Sequence, residues 1–254
     1  MNTTATSNDF SSVIASTSDK IASRIIANNL ETDIDTLEEL ANHEDFYIRR
    51  AVVKNRNTSK TALAKLSENT EEQIRFYLAT NPNTPADILQ QLATDKSHDV
   101  RAQVAGNANT PVDILEQLAQ DSYSETLRQV AENTQTPANI LHKIGINFIH
   151  LAAHKELFSH ESIVLRAVAV NANTPVEILE KICSIDENNN YWLLCLGVAQ
   201  NLNAPSHLLE QLANHEDVEV RRCVAGNRNT SVAILDKLAA DKEEIVRKAV
   251  GKKR

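Results

Sequence analysis

The sequence predicts an all-α protein, an α-solenoid of about eight two-helix repeats. The first observation is an asparagine that recurs at Asn29, Asn55, Asn81, Asn107, Asn133, Asn171, Asn201 and Asn227. Most neighbours in this series are 26 residues apart, and two intervals are longer, at 38 and 30 residues. The second observation is that helical apolar stripes flank each asparagine, and the third is the scarcity of Gly (5) and Pro (6) in 254 residues. Such a period indicates stacked helical units, each burying its apolar stripes against its neighbours.

The stretch 100–119, VRAQVAGNANTPVDILEQLA, shows one corner of the repeat. Its apolar residues form one helical stripe before the corner and one after it: Val100, Val104 and Ala105, then Ile114, Leu115, Leu118 and Ala119. Asn107 is expected to end the first helix in the left-handed conformation that Asn tolerates. Thr110 is expected to be the N-cap of the next helix, with Pro111 at its first position and Asp113 completing a capping box.

Residues 1–28 are predicted to form a loose N-terminus plus a capping half-repeat, and residues 29–254 the solenoid. The half-repeat would be a second helix without its first, marked by Ile21, Ile25 and Ile26. The first two complete repeats carry Thr32 and Thr58 at the expected N-cap, without a following Pro. The later repeats open with Thr84-Pro85, Thr110-Pro111, Thr136-Pro137, Thr174-Pro175, Ala204-Pro205 and Thr230-Ser231.

Two neighbouring repeats, the fifth and the sixth, are longer than the others. Their extra residues are expected between first and second helix, near 146–159 and 184–191, and should emerge on one edge of the solenoid. They would form an edge patch of Phe148, His150, His154, Phe158, Tyr191 and Trp192. The patch is interpreted either as a local binding site or as an extra short helix that packs its own apolar residues. We expect Trp192 to be buried, and His150 and His154 to be exposed.

Composition argues against a membrane-spanning, secreted, disulfide-rich or zinc-binding protein. With 26 Lys and Arg against 34 Asp and Glu, the formal net charge is −8, so the surface as a whole is acidic. No run of 18 apolar residues is present, so no membrane-spanning helix is predicted. The first residues lack the basic start and apolar core of a secretory signal. Three cysteines without CxxC spacing indicate neither a disulfide framework nor a zinc site. We therefore expect a cytoplasmic protein.

The repeat pattern VRxxVAxNxNTPxxxLxxLA resembles the leucine-rich repeat variant family, bacterial proteins similar in style to HEAT and armadillo arrays. VRAQVAGNANTPVDILEQLA and VRRCVAGNRNTSVAILDKLA, residues 220–239, carry the resemblance, which extends over almost everything after residue 28. It implies a right-handed α-solenoid of paired helices. Some family members hold an iron–sulfur centre on an N-terminal cysteine cluster, but this chain has no cysteine before Cys183. The family implies the fold and leaves the function open.

Two sets of repeated residues are interpreted as structural. The first is the arginine six positions before the asparagine: Arg49, Arg75, Arg101, Arg221 and Arg247. These arginines follow acidic residues at helix starts, such as Asp45, Glu71, Asp99 and Asp217, so they are expected to form an Arg–carboxylate ladder between successive repeats. The second set is the asparagines themselves, interpreted as a ladder that bonds backbone groups at the corners rather than as a ligand-binding row.

Positions five, four and one before the asparagine are expected to face the inner, concave side of the solenoid. They hold Arg50, Lys54, Phe76, Tyr77, Arg128, Arg166, Arg222, Lys248 and Lys252, and their only acid is Glu132. Cations near helix C-termini are favoured by the helix dipole, which is one interpretation of this bias. The other is a basic binding face.

No catalytic motif, cofactor or metal site is predicted, because phosphate-binding loops and nucleophile motifs are missing from the sequence. His150 and His154, with Glu156 or His160, could hold a metal, but surface histidines at this spacing are common. The predicted function is a non-enzymatic scaffold that binds a protein or peptide, of acidic character, on the basic concave face. Nucleic-acid binding on the same face is the alternative. A metal-dependent HEAT-type enzyme, suggested by His43-Glu44, His160-Glu161 and His215-Glu216, is less favoured.

Overall fold

The computed structural model describes residues 19–153, 159–189 and 192–251, with the side chains at 152–153, 159–160 and 186–189 left out. Over these ranges the secondary structure is helical, with no strand. The chain divides into two compact units, Met1–Thr110 and Pro111–Arg254. No helix in these ranges is long and apolar enough to cross a membrane.

Both units consist of alternating first and second helices of the repeat. Unit 1 contains α1 (19–28), α2 (Ile34–Leu40), α3 (Phe46–Lys54), α4 (Lys60–Ser67), α5 (Glu72–Thr80), α6 (Ala86–Leu92) and α7 (His98–Gly106). Unit 2 contains α8 (Val112–Leu118), α9 (Ser124–Glu132), α10 (Ala138–Ala153), α11 (Ser159–Val170), α12 (Val176–Asn189), α13 (Trp192–Gln200), α14 (Ser206–Leu212), α15 (Val218–Gly226), α16 (Val232–Leu238) and α17 (Glu244–Gly251). The odd-numbered helices are the second helices.

The second helices stack side by side within each unit, and the first helices pack against them. In unit 1, α5 lies between α3 and α7, and in unit 2 the series α9, α11, α13, α15 and α17 continues in the same way. The predicted stripes form the core, since Val100, Val104 and Leu115 are fully buried. The prediction of an all-α solenoid is thus confirmed for each unit.

The N-terminal part of unit 1 is only partly described, and the predicted boundary between 1–28 and 29–254 stays a prediction. Helix α1 ends immediately before Asn29, as a second helix should. Ile21, Ile25 and Ile26 are exposed, whereas the residue in the place of Ile26 is buried in complete repeats. Residues 1–18 lie outside the described residues.

The asparagine ladder is confirmed. Asn107 Nδ2 donates to the carbonyl oxygens of Ala79 and Asn81 in the preceding repeat, at 2.8 and 3.0 Å. Its Oδ1 accepts the Asn109 N–H at 2.9 Å. The left-handed conformation expected of Asn107 is wrong, since φ is −71° and ψ is 127°. The side chain satisfies the corner, so no left-handed residue is needed there.

The expected N-cap role of the threonines is wrong, and their hydroxyls serve the preceding helix instead. Thr84 Oγ1 donates to the Leu78 carbonyl at 2.6 Å, and Thr110 Oγ1 bonds to the Val104 carbonyl in the same way. Pro111 has an extended backbone conformation, and helix α8 begins at the residue after it. No side chain caps this helix, so no capping box with Asp113 forms.

Repeats that lack the proline place the N-cap one residue after the threonine. Asp33 Oδ1 accepts the Thr36 N–H at 2.8 Å, one residue after Thr32. Ser59 caps α4, and Ser231 caps α16, in the same manner. The buried threonine therefore bonds to the preceding helix, and the residue after it caps the next helix, two roles that were both expected of the threonine.

The Arg–carboxylate ladder is confirmed for three of its members. Arg75 Nε and Nη2 donate to the two oxygens of Asp95 at 2.5 and 3.1 Å, and Arg221 binds Asp241 in the same bidentate way at 2.7 and 3.2 Å. Arg49 bonds to a third acid, Glu71. Asp95 and Asp241 lie in the loop before the next second helix rather than at its start.

Within the described residues, the lengthened repeats extend existing helices and add no further short one. Helix α10 has 16 residues and α12 has 14, against 7 for α8 and α14. Residues 154–158 and 190–191 lie outside the described residues. Phe148 is buried on α10, so part of the extra length contributes to the core.

Candidate functional site: the second-helix face

The second-helix face is the surface formed, within each unit, by positions five, four and one before the repeat asparagine. Unit 1 places Arg50 and Lys54 on α3, and Phe76 and Tyr77 on α5. The predicted residues of unit 2 are Arg128 on α9, Arg166 on α11, Arg222 on α15 and Lys248 on α17. Lys252 lies outside the described residues.

The face of unit 1 is an assembly of cations on aromatic rings. The Arg50 guanidinium lies 5.3 Å from the ring centroid of Tyr47 and 5.9 Å from that of Phe46. Arg24, on α1, approaches the same Tyr47 ring at 5.4 Å. The Lys54 ammonium lies 5.0 Å from the Tyr77 ring. Together with Phe76, these residues form the cation–aromatic patch: Arg24, Phe46, Tyr47, Arg50, Lys54, Phe76 and Tyr77.

The rings position the cations without neutralising them. Phe46 meets Tyr47 edge-on at 5.3 Å, and Phe76 meets Tyr77 at 5.6 Å, which is a favourable arrangement for aromatic pairs. Each cation–ring contact contributes about 0.5–1 kcal/mol at an exposed site. No described carboxylate lies within ion-pair distance of Arg24, Arg50 or Lys54. The patch therefore presents positive charge beside apolar ring surface.

The sequence interpretation missed three members of this patch. Arg24 stands five positions before Asn29, so the position rule that found Arg50 also applies to it. Phe46 and Tyr47 start α3 and fall outside the three chosen positions. Their proximity in sequence to Arg50 was the available signal, since residues three and four apart on a helix are neighbours.

The expected basic character is not found at three positions of unit 2, because their charges are compensated on their own helices. Arg128 bonds to Glu125 and to Glu132, and the hydrogen bond with Glu125 raises the pKa of Arg128. The other two pairs are Arg222 with Glu219 at 2.7 Å and Lys248 with Glu244 at 2.8 Å. These acids lie three or four residues from their partners, a spacing that brings side chains together on a helix.

Arg166 differs from the other cations of unit 2. Its Nη2 donates to Gln200 Oε1 at 3.3 Å, and no described carboxylate pairs with it. Its Nε is buried and has no hydrogen-bond partner among the described residues. Arg166 lines a groove of about 640 Å³ whose walls include Ile163, Val170 and Leu202.

The edge patch lies only partly within the described residues. Phe148 is buried and His150 is exposed, the latter as expected. The expected burial of Trp192 is wrong, because 37% of its surface is exposed at the start of α13. His154, Phe158 and Tyr191 lie outside the residues whose side chains are described, so the contiguity of the patch stays a prediction.

Two of the His-Glu pairs have a structural role. His43 Nδ1 accepts the Asp45 N–H at 2.9 Å, and His215 Nδ1 accepts the Asp217 N–H at 3.0 Å. Both histidines thus order the loop before a second helix. Among the described residues no three His, Cys, Asp or Glu side chains are grouped to hold a metal. Glu156 lies outside these residues, as does the side chain of His160.

The fold and its ladders define a helical-repeat protein of the solenoid class. Residues 98–122 match the family model described as Leucine rich repeat variant, which confirms the resemblance seen in the sequence. No curated protein matches the chain. Among solved structures it is similar to a designed armadillo repeat protein, YIII(Dq)4CqI, at 14% identity and a TM-score of 0.28. That similarity covers 86% of this chain and 97% of the designed one.

Proposed function

We propose that the protein is a non-enzymatic scaffold that binds an acidic segment of a partner protein through the cation–aromatic patch of unit 1. The observation that carries this proposal is that Arg24, Arg50 and Lys54 contact aromatic rings and no described carboxylate. Helical-repeat folds of this kind are typical of protein binding, and their stacked helices offer extended surfaces rather than a catalytic pocket.

Electrostatics favour an acidic partner at this place in spite of the net charge of −8. Complementary charge at an interface increases association rate and specificity, and Arg–carboxylate bonds are among the stronger hydrogen bonds in proteins. Tyr47 and Tyr77 add apolar area with a polar end, which suits residues that anchor a protein interface. A partner segment with Asp or Glu beside apolar residues matches both features.

The same patch is less suited to nucleic acid. Non-specific nucleic-acid binding depends on many cations in line with successive phosphates. The patch of unit 1 has three cations, Arg24, Arg50 and Lys54. The predicted binding cations of unit 2 are largely unavailable, since Arg128, Arg222 and Lys248 are already paired with carboxylates. We further propose that the partner is met in the cytoplasm, since Cys183 and Cys223 are free thiols, as is usual in a reducing compartment.

The first prediction concerns the affinity of the full-length protein for a fluorescein-labelled peptide of alternating Glu and Phe. The double substitution Arg50→Glu and Lys54→Glu should weaken its binding by at least about tenfold, because two attractions become repulsions. Fluorescence anisotropy at low and high salt measures the change, and the wild-type affinity should fall as salt rises.

Arg56→Glu is the matched control, since Arg56 is an exposed cation of the same unit at the repeat corner. It should leave the affinity unchanged. An equal loss in the control, or unchanged binding by the double variant, would refute the proposal. Tighter binding of a single-stranded oligonucleotide than of the acidic peptide would assign the patch to nucleic acid instead.

A further inference from the structure

We infer that the groove beside Arg166 in unit 2 binds a protein segment in which a large aliphatic side chain neighbours a carboxylate. This is a second binding site with its own specificity. It lies in unit 2 and does not depend on the function proposed for unit 1.

The groove has the size and walls of a side-chain binding site. Its volume of about 640 Å³ lies within the range of small-ligand clefts, about 300–1,000 Å³. Ile163, Val170 and Leu202, on the walls, expose 48%, 38% and 51% of their surface. Clustered aliphatic exposure of this kind marks interaction sites on soluble proteins.

A second groove, of about 710 Å³, continues from the first one along unit 2. Gln200 and Leu202 line both grooves. The second one is also lined by Ile245 and Ala249, and by Arg222, whose charge is already paired with Glu219. A partner segment long enough to fill both would place successive apolar side chains on either side of Leu202.

The charge of Arg166 decides which partner fits. Its guanidinium donates one weak bond, to the neutral amide oxygen of Gln200, and its Nε donates none to a described residue. Glu132, the acid on the groove wall, is held by Arg128. The apolar walls reduce the local polarity, so a carboxylate brought to Arg166 would form a stronger bond there than on an open surface.

The helix packing makes room for the arginine stem. Gly197, on α13, faces α11, and a Cβ added there would lie 3.4 Å from Arg166 Cγ and 2.9 Å from Ala169 Cβ. The close approach of these two helices depends on the missing side chain. The position of Arg166 in the groove is therefore set by the packing of α11 on α13, not by an ion pair.

Three labelled peptides test the inference on the full-length protein carrying Arg50→Glu and Lys54→Glu, in which the unit 1 patch no longer attracts carboxylates: a Gly-Ser peptide with a central Leu-Glu-Leu, one with Leu-Gln-Leu and one with Ser-Glu-Ser. Leu-Glu-Leu should bind with an affinity about tenfold higher than either of the others. Arg166→Met should abolish the preference for Glu over Gln, and Leu202→Ser should abolish the preference for Leu over Ser. Arg166→Lys, which keeps the charge, should keep part of the preference.

Leu193→Ser is the matched control, because Leu193 is also an exposed leucine of unit 2, at 41% against 51% for Leu202, and does not line either groove. It should bind like its parent protein, and circular dichroism verifies that each variant is folded. Equal affinity for Leu-Glu-Leu and Leu-Gln-Leu, or an unchanged preference in Arg166→Met, would overturn the inference. Because the unit 1 patch is removed in every protein compared here, failure of one proposal is distinguishable from failure of the other.

Discussion

At the residue scale, the repeated asparagine bonds in two directions at once. Asn227 Nδ2 donates to the carbonyls of Ala199 and Asn201 in the preceding repeat, at 2.8 and 2.7 Å, while its Oδ1 accepts the Asn229 N–H. A buried carbonyl left without a donor costs about 1–3 kcal/mol. One amide side chain therefore bonds within its own corner and to the neighbouring repeat. A shorter side chain, or one without both a donor and an acceptor, cannot form these bonds.

The Arg221–Asp241 pair joins repeats through charge. Both side chains are more than nine-tenths buried, and the hydrogen bond from Arg221 holds the pKa of Asp241 below its ordinary value. Asp95 is similar: burial would raise its pKa, but bonds from Arg75 and the Ser97 N–H lower it overall. A carboxyl whose folded-state pKa is lowered stabilises the fold above its unfolded-state pKa, about 3.9, and this contribution is lost as pH falls through the folded-state value.

Asp241→Asn should therefore lower the free energy of unfolding at pH 7 by about 3–5 kcal/mol, because Arg221 is left buried without its anion. The difference from wild type should shrink as pH falls from about 4 through the lowered folded-state pKa of Asp241, because the native carboxyl then becomes protonated as well. Urea unfolding over this pH range measures this. Asp113→Asn, at an exposed position, should show neither effect, and a penalty that did not depend on pH would contradict the argument.

At the element scale, the distance between neighbouring second helices depends on small side chains. Gly197 faces Ala169 on α11, and its added Cβ would lie 2.9 Å from Ala169 Cβ and 3.2 Å from the Arg166 carbonyl oxygen. The second of these neighbours is backbone and cannot rotate away. Gly226, at the end of α15, has no such neighbour within 4 Å.

Gly197→Ala should destabilise the protein by about 1–3 kcal/mol, because the two helices must move apart in a close-packed core. Gly226→Ala should be neutral or stabilising by up to about 1 kcal/mol, since alanine is the better helix former. Thermal unfolding followed by circular dichroism compares the two variants. A stabilising Gly197→Ala would show that α11 and α13 do not pack as closely as described.

At the scale of the whole molecule, periodicity is the dominant feature. Each repeat contributes the same asparagine and, in most cases, the same threonine, so its contacts are made mainly with its neighbours in sequence. In such arrays stability is close to a sum of repeat and neighbour terms. When one repeat is removed, its two neighbours can therefore form equivalent contacts with each other, and the remaining repeats keep their own.

Deletion of residues 56–81, one full period of 26 residues, should leave a cooperatively folded protein with proportionally fewer helical residues. Asn107 would meet the carbonyls that Asn81 bonds in the native chain, and Arg49 would meet Asp95. Deletion of residues 58–81, two residues shorter, should unfold at a clearly lower temperature, because the corner keeps two surplus residues. Thermal unfolding followed by circular dichroism compares the two deletions. Equal stability would contradict a repeat register fixed at 26 residues.

Much of the fold follows from the sequence because the signals are local and repeated. The Asn107 period and the Val100, Val104 and Leu115 stripes predict the helices and the core, and the structure confirms both. The error at Thr110 arose because a threonine before proline resembles an N-cap, although the buried hydroxyl bonds backward to Val104. Local patterns identify the corner but not which of two nearby acceptors a side chain uses.

The candidate sites were predictable only in part. Charge counting by position found Arg50, Lys54 and Arg166, but it also selected Arg128, which is paired with Glu125 and Glu132. Whether a cation is compensated depends on every acid and ring around it, including those on neighbouring helices.

The sequence by itself determined the repeat, its helices, the buried stripes and the asparagine ladder, because these depend on residue spacing along one chain. Only the tertiary structure decided that Arg24 and Arg50 share the Tyr47 ring, that Trp192 is exposed, and that Arg166 lines an apolar groove without pairing with a described carboxylate. These features depend on distances between side chains of different helices. Such distances depend on how closely the helices pack. Gly197, for example, allows the close approach of α11 and α13.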